Sequence, residues 1–247
     1  MRTVYLGNTL INDVMLGSQR MDDVIFKEPS ASIELPPVTS GLILYLDSTQ
    51  PASYLGAGLS WYNLVAGQPI TASLQANVTF TTGPYLTGSY LQVTGSANGY
   101  IEIPGVNFTS SNSTVMCATR YTGDVDNQRM LAGLNNNWLL GNYDNSTENY
   151  YAGGFITDGG PNDTNWRIYA GTADIAADQW RFYSNAVENT ERLNDGSFGP
   201  DGLQVGRQSG GGETSNGQVC FIAVYNRVLS GAEITSNYDA LKYKVGL

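Results

Sequence analysis

Apolar and polar residues alternate in short runs along most of this chain. From about residue 38 onward such runs recur at 42–46, 90–93, 100–103, 113–121, 129–134, 138–140, 166–170, 180–184, 203–205 and 218–225, separated by Gly, Asn, Asp, Ser and Pro. Period-two runs closed off by turn formers predict β-strands, and many at short spacing predict a β-sandwich or jelly roll. A helical period is visible only near the end. Ser230-Gly231-Ala232-Glu233 has capping-box spacing, Ile234, Tyr238 and Leu241 follow at i, i+4 and i+7, and Gly246 stands where a C-terminal cap would. The pattern predicts an all-β body with one short amphipathic helix on its outside.

Residues 1–37 differ in character. Tyr5-Leu6-Gly7-Asn8-Thr9-Leu10-Ile11-Asn12-Asp13-Val14 is followed at once by Met15-Leu16-Gly17-Ser18-Gln19-Arg20-Met21-Asp22-Asp23-Val24, a short internal repeat. Each copy reads as a strand, a Gly-initiated turn and the next strand. Apolar residues fall on both faces of these strands, which a small hairpin sheet cannot bury by itself. The arm must pack against its own body, as extra strands on the body's sheet, or against symmetry mates or a different protein; the linker that follows favours an attachment element acting through Leu6, Ile11, Val14, Leu16, Met21, Val24 and Phe26. Glu28-Pro29-Ser30-Ala31-Ser32 and Leu35-Pro36-Pro37 read as an extended linker. Two regions follow: an arm and linker over 1–37 and a body over 38–247.

Composition removes whole classes of chemistry. The chain carries 12 Lys+Arg against 22 Asp+Glu, a net charge of −10, which repels phosphate backbones and anionic membrane surfaces. No nucleic acid and no membrane is expected as a partner. With no histidine, Ser-His-Asp and Cys-His catalysis and His-ligated metals are excluded. Two cysteines cannot build a four-cysteine metal site, and Cys117 and Cys220 lie in apolar runs that predict buried, reduced thiols. No signal-peptide apolar core follows Met1-Arg2, and the apolar stretch at 41–46 is too short to span a bilayer, so folding in a cytoplasm is the expectation.

Several segments of the body together carry a family resemblance: Gly41-Leu42-Ile43-Leu44-Tyr45-Leu46-Asp47, Trp61-Tyr62-Asn63-Leu64, Tyr100-Ile101-Glu102-Ile103-Pro104, Asp178-Gln179-Trp180-Arg181-Phe182, and the closing run Val224-Tyr225-Asn226-Arg227-Val228-Leu229-Ser230 with Glu233-Ile234 and Asn237-Tyr238. The body resembles the concanavalin A-like lectin/glucanase jelly rolls of laminin-G type, in the form found in bacteriophage structural proteins. The closing run is its most specific part. The arm resembles Tyr-Leu-Gly repeats of phage tail and other virion proteins. These resemblances imply a concanavalin A-like jelly roll on a β-hairpin arm. They also imply a non-enzymatic virion protein, assembled in the host cytoplasm and located in a tail, fibre, baseplate or capsid decoration. Its expected partners are other virion proteins, in a homo-oligomer or symmetric array.

A second reading is a carbohydrate-binding module that adsorbs to host or environmental glycans. Aromatic rings beside amide and carboxylate groups suit sugars. The densest such cluster is Asn136, Trp138, Tyr143, Asp144, Tyr150 and Tyr151, although Trp138 precedes Leu139-Leu140 and also reads as core. No cofactor is expected. If a loop holds a cation, its hard oxygen donors suit Ca2+, and Asp124 and Asp126 are the candidate pair, though turn chemistry is the better account of each such loop. A glycoside hydrolase is the third reading. The family's glucanases place carboxylates on one strand face at Glu-x-Asp-x-x-Glu or Glu-x-Asp-x-Glu spacing, and this chain has neither. Asn-x-Ser/Thr sequons at Asn77, Asn107, Asn112, Asn145 and Asn162 read as chance in an Asn- and Thr-rich chain.

Overall fold

The computed structural model describes residues 4–6, 9–11, 15–16 and 19–20 as backbone, and 33–82, 88–96, 98–123, 128–189 and 196–247 in full. The chain divides into two units, Met1–Ser32 and Ile33–Leu247. In the first unit, β1 (Val4–Leu6) pairs antiparallel with β2 (Thr9–Ile11), and β3 (Met15–Leu16) with β4 (Gln19–Arg20). Leu6 pairs with Thr9 and Leu16 with Gln19, the same positions in the two repeat copies. Of the residues expected to serve attachment, Leu6, Ile11 and Leu16 lie on these strands. Val14, Met21, Val24 and Phe26 lie outside the described residues, as do Asp124 and Asp126.

The second unit continues with β5 (Leu42–Asp47), β6 (Ser60–Tyr62), β7 (Thr71–Leu74), β8 (Thr79–Thr81), β9 (Tyr90–Val93), β10 (Ile101–Asn107) and β11 (Ser113–Tyr121). Then come β12 (Leu131–Gly133), β13 (Trp138–Tyr143), β14 (Ser146–Ala152), β15 (Phe155–Thr157) and β16 (Arg167–Asp174). The last strands are β17 (Gln179–Ser184), β18 (Val187–Asn189), β19 (Asp201–Val205) and β20 (Gly217–Tyr225), followed by α1 (Gly231–Leu241) and a 3-10 turn over Lys242–Val245. They form two antiparallel sheets of eight strands each. The first is ordered β18-β17-β16-β11-β20-β9-β8 with β5 also beside β20, and the second β15-β14-β13-β12-β19-β10-β7-β6.

One apolar cluster fills the space between the sheets, including Leu44, Trp61, Leu91, Ile103, Cys117, Leu140, Tyr169, Phe182, Val205 and Ile222. A second cluster lies on the outer side of the first sheet, where Tyr45, Met116, Ala170, Phe221 and Tyr225 meet Leu229, Ile234 and Leu241 of the α1 region. The first sheet is thus covered on both faces. All nine residues of β20 are buried, which is why 217–225 reads as a near-continuous apolar run rather than an alternating one.

The helix forms as its sequence predicts. Ser230 caps it and Glu233 completes the capping box, while Gly246 ends the following turn in the left-handed region. Buried Asn237 ties it to the sheet, since its amide accepts from the Val38 N–H and donates to the Tyr225 hydroxyl. Residues 33–37, grouped above with the linker, bond to the body: the Glu34 N–H donates to Gln50 Oε1 at 2.8 Å, and Gln50 Nε2 returns a bond to the Glu34 carbonyl at 2.7 Å. The strands β6, β7, β8, β14, β15 and β18 add to those named from the pattern. β14 is polar over Ser146-Thr147-Glu148-Asn149 and carries a bulge where Glu148 has φ 66°, which breaks the alternation.

Candidate functional site

Helix α1 covers the outer side of the first sheet, which leaves the outer side of the second as the exposed sheet face. Cross-strand partners share a face. The register therefore draws a row across the second sheet: Phe155, Tyr151, Leu139, Ala132, Gln204, Glu102, Ser73, Ser60. The flanking residues Ile156, Tyr150, Trp138, Leu140, Leu131, Leu203 and Ile101 belong to the core between the sheets, so the row points away from it.

The centre of the row is nonetheless closed. Leu139 is 1% exposed, and Ala132 and Gln204 are fully buried. Two arginines lie across it. Arg129 precedes β12 but reaches Asn137 at the far end of β13, where its terminal nitrogen donates to Asn137 Oδ1 at 2.6 Å. Its Nε pairs with the Glu213 carboxylate, and its guanidinium carbon stands 5.3 Å from the centre of the Tyr143 ring. Arg207 donates to Gln204 Oε1 at 3.3 Å and Glu102 Oε1 at 2.9 Å, and stacks over the Tyr100 ring. Arg207 and Glu213 belong to the same connection between β19 and β20, turned by a Gln208–Gly212 hydrogen bond.

Beside this closed centre, three half-buried rings meet at the β13–β15 edge. Phe155 lies 5.1 Å from Tyr151 in a T-shaped pair and 5.9 Å from Tyr143. The hairpin turn after Tyr143 is built from Asp144 and Asn145, both with positive φ, and Gln128 Nε2 donates to Asp144 Oδ1 at 3.3 Å. Asn149, fully buried, ties the hairpin together: its amide donates to the Thr147 carbonyl at 3.1 Å and accepts from the Gly159 N–H at 3.0 Å. The result is an aromatic surface edged by Asn137, Asp144, Glu213 and Arg129. The Tyr143 hydroxyl titrates above its ordinary value, first because burial disfavours the phenolate and then because Glu213 adds negative potential; Arg129 opposes both.

Of the six residues expected at a glycan site, Tyr143, Asp144 and Tyr151 come together here. The other three do not. Trp138 and Tyr150 are 1% exposed and stack 5.9 Å apart inside the sandwich, because each falls on the inward parity of its strand. Asn136 uses its amide on backbone, donating to the Gly199 carbonyl at 2.9 Å and accepting from the Asp201 N–H at 3.2 Å. Its neighbour Asn137 faces the platform instead. Phe155, Arg129 and Glu213 are not among the residues the sequence singles out. The alternation of Phe155 with core Ile156 is a signal that could have found it, but the two charged residues join only through the fold. Cys117 and Cys220 are free and buried as expected, and burial pushes the Cys117 thiol up to about 12. No group of three or more Cys, Asp or Glu is placed to hold a metal among the described residues.

Comparison with known proteins agrees with this architecture. A family model described as the concanavalin A-like lectin/glucanases superfamily matches residues 94–235. No curated protein matches the chain. Among solved structures, the binding domain of Paraclostridial Mosquitocidal Protein 1 is similar at 14% identity and TM-score 0.57, over 81% of this chain and 52% of that one. The Botulinum Neurotoxin serotype G binding domain is similar at 15% identity and TM-score 0.56, over 81% of this chain and 51% of that one. Trypanosoma rangeli sialidase in complex with the inhibitor DANA is similar at 18% identity and TM-score 0.59, over 84% of this chain but 35% of that one. The chain thus spans about half or less of the length of the structures it resembles, and the likeness is one of fold. With more than half of its residues inside the family model, this chain belongs to the concanavalin A-like lectin/glucanase superfamily, as a laminin-G-like jelly roll.

Proposed function

We propose that this protein is a non-enzymatic glycan-binding jelly roll carried on an N-terminal attachment arm, and that the platform of Tyr143, Tyr151 and Phe155 is its sugar-binding surface. One observation carries the reading: three half-buried rings share an outward face with amide and carboxylate hydrogen-bonding groups at their edge. Aromatic faces stack on the apolar side of a pyranose, while Asn137 and Asp144 suit its hydroxyls. A hydrolytic reading fits less well. Glu102 and Glu213, the two glutamates of this face, are each held by an arginine, and Asp144 accepts from Gln128, so among the described residues no carboxylates of this face are presented as a facing pair. The test is retention on immobilised oligosaccharides. Tyr143→Ala and Tyr151→Ala are each expected to weaken retention by about tenfold, ~1.4 kcal/mol. Undiminished retention by both variants would remove the platform from the function.

A second part of the proposal concerns the arm. What supports this reading is that the two repeat copies pair their strands in matching registers, Leu6 with Thr9 and Leu16 with Gln19. Backbone pairing and apolar burial against other virion proteins would anchor the protein to a bacteriophage particle. A chain lacking residues 1–32 is expected to keep its glycan binding but fail to enter particles. Normal incorporation of that chain would refute the anchoring role.

A further inference from the structure

The glycan reading leaves open which sugars the platform takes, and the charges around it bear on that. The groups that act on the Tyr143 hydroxyl include the carboxylates of Glu213, Asp144 and Asp158, against one guanidinium, Arg129. That guanidinium is already committed. Arg129 is 4% exposed, with Nε on Glu213, a terminal nitrogen on Asn137 and its face towards Tyr143. The backbone at Glu213 is tied to Arg129 as well: Glu213 has φ 48°, an uncommon conformation for a glutamate, and its carbonyl accepts from the Arg129 N–H at 3.3 Å. The arginine that would suit a sugar carboxylate or sulfate is thus matched by a carboxylate from the protein itself.

We infer that the platform takes uncharged pyranosides and excludes acidic ones, and that Glu213 is the residue that sets this preference by occupying Arg129. This rests on the glycan reading above. An acidic sugar stacked on Tyr143 would meet these carboxylates while the guanidinium beside them is engaged, and like charges brought together at an interface oppose binding strongly. Neutral hydroxyls, by contrast, donate to those same carboxylates.

The test uses the full chain and a panel of immobilised gluco-, manno- and galacto-oligosaccharides, each beside its uronic acid counterpart. The unaltered protein is expected to hold at least one neutral member about tenfold or more tightly than its acidic counterpart. That ratio should shrink at about 0.5 M salt, where exposed charges are screened. Glu213→Gln releases Arg129 and is expected to move the ratio towards the acidic sugar by about tenfold. Asp144→Asn, which preserves the residue's tolerance for positive φ, is expected to move it the same way by a smaller factor. Equal or tighter binding of uronic sugars by the unaltered protein overturns the inference and leaves the glycan reading standing. So does a ratio that neither variant moves. Retention of no member of the panel overturns both.

Discussion

Asp47 and Lys244 meet with side chains 0% and 1% exposed, and with Nζ and Oδ2 3.0 Å apart. The Asp47 carboxylate also accepts from the Tyr45 hydroxyl, the Thr49 N–H and hydroxyl, and Gln50 Nε2. Burial draws the Lys244 ammonium down, but Asp47 and, after it, Tyr243 together outweigh burial and hold the lysine charged. Removing one partner of such a pair leaves a buried charge without a counterion. Asp47→Asn is therefore expected to destabilise the protein by about 3–5 kcal/mol in urea unfolding. A loss under about 1 kcal/mol would mean that the ammonium finds another partner. Residue scale also separates Trp138 from Tyr143. Trp138→Ala empties core volume and should cost about 3–5 kcal/mol, while Tyr143→Ala should cost about 1 kcal/mol and register in sugar retention instead. From the sequence alone Trp138, followed by Leu139-Leu140, reads both as core and as a sugar-site ring. Which parity faced inward depended on the partner sheet, and Trp138 and Leu139 are both apolar.

At the scale of elements, α1 shows how local and distant contacts divide. Its capping box is local and legible, since Ser230 and Glu233 are three residues apart. Arg227 adds a forked contact to the Glu233 carboxylate at 2.6 and 3.1 Å, which lowers that carboxyl from its ordinary 4.5 to about 2, with the Ser230 N–H contributing next. Likewise the Arg167 fork holds Asp163 down from 3.8 to about 2. A carboxyl with a depressed folded-state pKa stabilises the fold above its unfolded pKa and loses that contribution as pH falls through the folded value. Both groups stay in contact with solvent, so each is worth about 0.2–1 kcal/mol after screening. Stability is expected to fall between pH 4.5 and 2, and Glu233→Gln to flatten part of that limb in urea titrations. Identical acid limbs in the variant and the unaltered protein would contradict this role. The margins of the second sheet were not legible: in β14 the polar run and the Glu148 bulge erase the period on which strand recognition depends, and β6, β7 and β15 are too short to establish one.

For the whole molecule, the lack of histidine means that no side chain with an ordinary pKa changes charge between pH 5 and 8. Stability over that interval is expected to vary by less than about 1 kcal/mol in chemical unfolding; a steeper slope would point to a strongly shifted carboxyl. The amino-acid sequence by itself determined the all-β class, the terminal helix with its cap, the repeated arm and the exclusion of histidine chemistry. These follow from periodicity, spacing and composition, which are local or additive properties of the chain. Tertiary structure decided which face of each strand is core, which side of the sandwich the helix covers, and how Arg129 and Glu213, 84 positions apart, meet beside the Tyr143 ring. Those outcomes depend on sheet order and register, and pairing between distant strands leaves no trace in the period of either one.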